Sequence, residues 1–178
     1  AAVGCLLAAP ALGATVVVQD DFNDNSLDTS TWEVAIPSGH PTANATEQNQ
    51  RMEIYSRAHL RTVDQWDPLW HGGLHITGEW TFDPANSYAM MQILTRSEGT
   101  PTSGYGETSQ GIEFFAQSND NAMKIQGRGG APVSGASATV DMNQGETFAF
   151  DIVDTGYDLS FTMSEIGGDG TTATLHGT

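Results

Sequence analysis

The sequence predicts an all-β protein, an antiparallel sandwich or barrel of about ten short strands. Three observations lead there. Short segments alternate apolar and polar residues, as strands do when successive side chains point to opposite faces of a sheet. Clusters of Gly, Pro, Asn, Asp and Ser separate these segments. No stretch of helical length sustains an apolar period of 3.6, so helices should be few.

Taken in order, the first strand is expected over residues 15–22, which open with valines. The run DDFNDNSLDTSTW is dense in Asp, Asn and Ser and reads as a loop returning to a strand at residues 32–36. Asp21, Asn23, Asn25 and Asp28 are closely spaced oxygen donors, so Ca2+ is a possible ligand, although the glycine and terminal glutamate of a helix-loop-helix calcium loop are absent. Residues 37–49 read as irregular and hold the sequon Asn44-Ala45-Thr46. Strands follow at 51–56 and 58–62, then a long loop, VDQWDPLWHGG, whose Trp66 and Trp70 either meet a sugar or partner or fold down on the core.

Leu74 to Phe82 shows the clearest alternation, with Leu74, Ile76, Trp80 and Phe82 against His75, Thr77, Glu79 and Thr81. A turn at Asp83-Pro84-Ala85-Asn86 leads to a strand at 88–96. A Gly/Ser/Thr/Pro loop with Tyr105 and Glu107 then feeds the strand QGIEFFAQ at 110–117. Further strands are expected at 122–126, 138–142, 147–154, 157–165 and 171–176, with Asp154-Thr155-Gly156 closing a hairpin.

At 178 residues the chain is of single-domain size. Residues 1–14, AAVGCLLAAPALGA, match the apolar part and cleavage site of a secretory signal peptide without its basic start, so the mature domain is expected to span residues 15–178. Secretion or display at the cell surface follows. The short last strand leads us to expect that C-terminal residues are missing. Cys5, the only cysteine, lies in the leader-like run, so the domain holds together without a disulfide. Acidic residues outnumber basic ones 22 to 6, for a formal net charge of -16. Such a surface repels phosphate backbones and anionic lipid, which argues against nucleic acid and membrane partners.

The strand QGIEFFAQ decides the functional reading. Ile112, Phe114 and Ala116 share one face with the core, while Glu113, Phe115 and Gln117 take the other. Placing Met91, Ile93, Leu74, Ile76 and Trp80 in the core turns His75, Thr77, Glu79, Tyr88, Met90, Gln92, Arg96, Lys124 and Gln126 to that same outer side. Rings to lie on sugar faces and amides and charges to bond hydroxyls suit a polysaccharide groove, with Arg96 and Lys124 expected to neutralise Glu113. The competing reading of this face is a hydrated surface whose charges pair for solubility. His75 and Glu79 stand well over ~10 Å apart on one strand and are no chelating pair.

Three landmarks resemble the concanavalin A-like lectin and glucanase superfamily, in its LamG-like or laminarinase-like members. They are DDFNDNSLDTSTW, the pair EQNQRMEIYSRAHLRT and LHITGEWTF, and ETFAFDIVDTGYDLSFTMS. The resemblance implies a jelly-roll sandwich of two curved antiparallel sheets. Its glucanases carry Glu-x-Asp-x-Glu or Glu-x-Asp-x-x-Glu on one strand, with the first glutamate as nucleophile and the last as acid/base. Carried over position by position, Glu113 falls on the nucleophile, Phe115 on the assisting aspartate, and Gln117 or Ser118 on the acid/base. An amide or a hydroxyl is no proton donor of suitable pKa, so the motif is degenerate. Phe115 also breaks the Glu-x-Asp of the lectin metal site.

The expectation is therefore a non-catalytic carbohydrate-binding or adhesive module, with His75, Glu79, Tyr88, Gln92, Arg96, Glu113, Phe115, Gln117 and Lys124 as ligand-binding residues. Two alternatives stay open. One is a divergent glycoside hydrolase or polysaccharide lyase using Glu113 with Glu107 or Glu79. The other is a structural surface domain without a ligand.

Overall fold

Two four-stranded antiparallel sheets pack face to face in the computed structural model, which describes residues 18–37, 39–98 and 110–178. Two small two-stranded sheets accompany them. One pairs β1 (Trp32–Ala35) with β4 (His59–Thr62), and the other is the hairpin of β2 (Asn44–Gln48) and β3 (Arg51–Tyr55). Asn49 and Gln50 close that hairpin with φ of 57° and 59°, the left-handed pair that a two-residue type I′ turn requires. The leader-like run, Tyr105 and Glu107 lie outside the described residues.

The first large sheet has the order β12 (Thr172–Gly177), β11 (Leu159–Glu165), β10 (Thr147–Asp154), β5 (Leu74–Thr81). The second is a meander of β6 (Met90–Glu98), β7 (Gln110–Gln117), β8 (Ala122–Arg128) and β9 (Ala136–Thr139). The chain thus crosses from one sheet to the other between β5 and β6 and returns between β9 and β10. A single helical turn, α1 (Pro68–His71), interrupts the long loop before β5. Asp67 caps it by accepting the Leu69 N–H at 2.9 Å, and Gly72 ends it in the left-handed region.

The core lies between the sheets and follows the alternation of the strands. Phe148, Ile152, Leu159, Phe161 and Met163 face Met91, Ile112, Phe114, Ala116, Met123 and Ile125. Phe114 of β7 meets Phe161 of β11 edge to face with centroids 5.9 Å apart. Phe82 and Phe148 pack in the same manner. Each fully buried side chain of this size contributes roughly 1.5–3 kcal/mol by leaving water. Without a disulfide in the described domain, this packing carries the sandwich.

Most expected strands are present, and the differences have local causes. β2 forms where an irregular segment was expected, because the turn at Asn49 and Gln50 brings it into register with β3. Residues 18–22 are not a strand. β6 begins at Met90 and leaves Tyr88 in an exposed turn, its N–H donating to Asn86 Oδ1 at 2.9 Å. β8 runs to Arg128, two residues past the expected end, because Gly127 and Arg128 continue the ladder opposite Ile112 and Gly111.

Candidate functional site

β7 sits in the middle of its sheet, flanked by β6 and β8. That position places Gln92 and Lys124 directly opposite Phe115, with Gln126 opposite Glu113. Ile112, Phe114 and Ala116 enter the core, so Glu113, Phe115 and Gln117 face outward. The outward face is not open at its centre. Glu113 has no solvent exposure and Phe115 retains 8%.

Glu113 is sequestered beneath the side chains that bind it. Arg128 donates from Nε to Oε2 at 2.8 Å and from Nη2 to Oε1 at 3.0 Å, a bidentate pair. Gln92 Nε2 donates to Oε1 at 2.7 Å, and Gln126 Nε2 donates to Oε2. The carboxylate is thus a hub that fixes one guanidinium and two amides. Lys124 lies over the Phe115 ring, 5.7 Å from its centroid.

This network differs from the expected one in its cation. Arg96 was expected on this face beside Glu113, but the alternation breaks before it. The register of β6 against β7 shifts between Thr95 and Glu98, and Arg96 has a φ of 51°. The bulge turns Arg96 across the sandwich onto Asp154, the last residue of β10 in the other sheet, through Nε at 2.9 Å to Oδ2 and Nη2 to Oδ1. Thr95 Oγ1 adds a bond at 2.7 Å and the Gly156 N–H another at 2.9 Å. Asp154 is fully buried. Burial opposes its ionisation, but Arg96, Thr95 and Gly156 outweigh burial and hold the carboxyl below its ordinary value. Arg96 therefore joins the sheets, and Arg128 takes the place beside Glu113.

The expected outer face also divides. β5 pairs with β10, so His75 and Glu79 lie on the outside of the opposite sheet, across the core from Glu113. There His75 Nε2 is 2.9 Å from Asp151 Oδ2, and both side chains are about half exposed. The structure thus gathers Gln92, Glu113, Phe115, Gln117 and Lys124 on one face, and separates His75, Glu79, Tyr88 and Arg96 from them.

Of the oxygen donors considered for calcium, Asp28, Asn25 and Asp21 make separate local bonds. Asp28 accepts from Ser30 N–H at 2.9 Å and from the Ser30 and Thr31 hydroxyls at 2.6 Å, which hold its carboxyl below the usual value. Asn25 Oδ1 accepts from the Gln50 N–H at 3.4 Å, and Asp21 accepts from Asn23. Among the described residues no group of three or more His, Cys, Asp or Glu is placed to hold a metal ion. Nor is any helix among them long and apolar enough to cross a membrane. No family model, curated protein or solved structure matches the chain.

Proposed function

We propose that this chain is a secreted, non-catalytic carbohydrate-binding module of the concanavalin A-like class, and that the Glu113 face of β6, β7 and β8 contributes to glycan recognition. The observation that carries the reading is the Glu113 hub. A buried carboxylate paired with arginine costs desolvation and contributes little net stability. Its evident effect is order. The amide of Gln126 is held by its nitrogen, which turns its carbonyl oxygen away from Glu113 as an acceptor for a hydroxyl. Gln92 and Arg128 are fixed in the same way, and binding then costs less side-chain entropy.

The same geometry argues against a glucanase-type mechanism at this strand. A retaining hydrolase needs a nucleophilic carboxylate open to the sugar and a second carboxyl about 5–5.5 Å away. Glu113 has no exposed surface, and the groups bonded to it among the described residues are two amides and a guanidinium. Glu79, one partner considered for it, is on the other sheet.

A glycan array followed by a reducing-end assay on each hit tests the proposal. Binding without product release is the expected result. Release of reducing ends that Glu113→Gln abolishes would favour the hydrolase, and silence on both would favour a structural domain.

A further inference from the structure

Leu69 and Trp70 on α1 and Tyr157 on the β10–β11 turn are exposed apolar side chains on two loops that meet at one end of the sandwich. Trp70 is 84% exposed, Tyr157 76% and Leu69 54%. The first two are the most exposed large apolar side chains among the described residues. Trp70 is thus no lid on the core.

The two loops are in close contact. A Cβ added at Gly156 would lie 2.3 Å from Leu69 Cδ2 and 3.5 Å from its Cα, so α1 rests directly on the β10–β11 turn. Since adjacent Cα atoms are ~3.8 Å apart, the backbones of Trp70 and Tyr157 stand no more than about 13 Å from each other. Both loops are fixed from below. Asp154 accepts the Gly156 N–H while held by Arg96 and Thr95, and Thr155 Oγ1 accepts the N–H groups of Tyr157 and Asp158 at 3.3 and 2.9 Å. On the other side Asp67 caps α1. Two bare rings therefore stand on a fixed frame, with the exposed Asp67 and Asp158 beside them.

Charge and area select the occupant. All six basic residues are already engaged: Arg51 with Glu53, Arg61 with Glu33, Arg96 with Asp154, Arg128 with Glu113, Lys124 with the Phe115 ring, and Arg57 with a further partner. A surface with these aspartates on a chain of net charge -16 repels sulfated, phosphorylated or uronic ligands and anionic lipid. It equally repels a second copy of this chain. Its exposed apolar area, roughly 400 Å2 from two rings and a leucine, also falls short of the ~800 Å2 per partner of a stable dimer. An uncharged ligand with alternating apolar faces and hydroxyls fits both the rings and the carboxylate acceptors.

We infer that Trp70 and Tyr157 form a binding subsite for a neutral oligosaccharide, with Leu69 and Gly156 setting the spacing of the rings. The subsite rests on the carbohydrate-binding reading above but is separate from the Glu113 face. Native gel affinity electrophoresis tests it, using gels cast with uncharged β-1,3-glucan, β-1,4-glucan, mannan or galactan, and with poly-lysine as a cationic control. The expected result is retardation by one of the neutral polysaccharides that persists in high salt and weakens about tenfold in both Trp70→Ala and Tyr157→Ala. Retardation that survives both substitutions but is lost in Gln126→Ala would overturn the subsite and leave the Glu113 face as the binding surface. Retardation by poly-lysine alone, removed by salt, would overturn it in favour of a basic protein partner. No retardation by any neutral polysaccharide would overturn the subsite, and a blank glycan array as well would remove the carbohydrate reading itself.

Discussion

Glu113 and Asp154 are both fully buried carboxylates paired with arginine, yet they perform different tasks. Asp154 receives Arg96 and Thr95 from the opposite sheet and Gly156 from its own turn, so it ties the two layers of the sandwich together. Glu113 draws its partners from β6 and β8, its own sheet neighbours, and holds them on a face turned away from the core. The same chemistry yields a latch between layers in one place and an ordered polar surface in the other. The difference follows from the bulge at Arg96, which removes one arginine from the face and leaves Arg128 to serve it.

Breaking the latch should have the largest effect. Arg96→Met leaves the Asp154 carboxylate buried without its cation and should destabilise the domain by about 3–5 kcal/mol, read from the midpoint of urea unfolding. Breaking the hub should cost less. Arg128 keeps 28% of its side chain exposed and can rehydrate, so Glu113→Gln should cost about 2 kcal/mol. Equal losses would mean that the two pairs are both structural. Gly156→Ala comes next, at about 1–2 kcal/mol, since its φ is 91° and the new Cβ meets Leu69. Trp70→Ala should shift the midpoint least, within about 0.5 kcal/mol.

Acid tests the Asp154 latch in another way. The Asp154 carboxyl lies below its ordinary value of 3.8 in the folded protein, so its contribution is fully present above that pH and is lost as pH falls through the lower folded value. Asp154→Asn should therefore flatten the acid limb of the stability profile below about pH 4. A variant with an unchanged acid limb would show that Asp154 is not the group being titrated.

The alternation of β7 and β10 was legible because each strand has one face in a continuous core, and both strands have the expected bounds. Sheet membership was not legible. A period of two says that His75 and Glu113 both point away from apolar neighbours, but only the pairing of β5 with β10 shows that they point away in opposite directions. Arg96 was misplaced because a bulge at a nonglycine residue leaves no mark in the alternation. Arg128 was overlooked because the glycines around it read as a turn, whereas Gly127 lies in the ladder. There its missing side chain makes room, since an added Cβ would sit 2.2 Å from the Ala131 carbonyl oxygen. Trp70 was visible as a ring on a loop, but its exposure was not legible, because only the folded chain shows that α1 rests on Gly156 through Leu69.

The proposed role of Glu113 is to order a binding surface without attacking a sugar. Titration calorimetry of wild type and Glu113→Gln against the best hit of the glycan array, with reducing ends assayed in the same cell, tests it most directly. The expected result is affinity weakened about tenfold by the substitution and no reducing ends from either protein. Product from wild type that disappears in Glu113→Gln, with affinity unchanged, would contradict it.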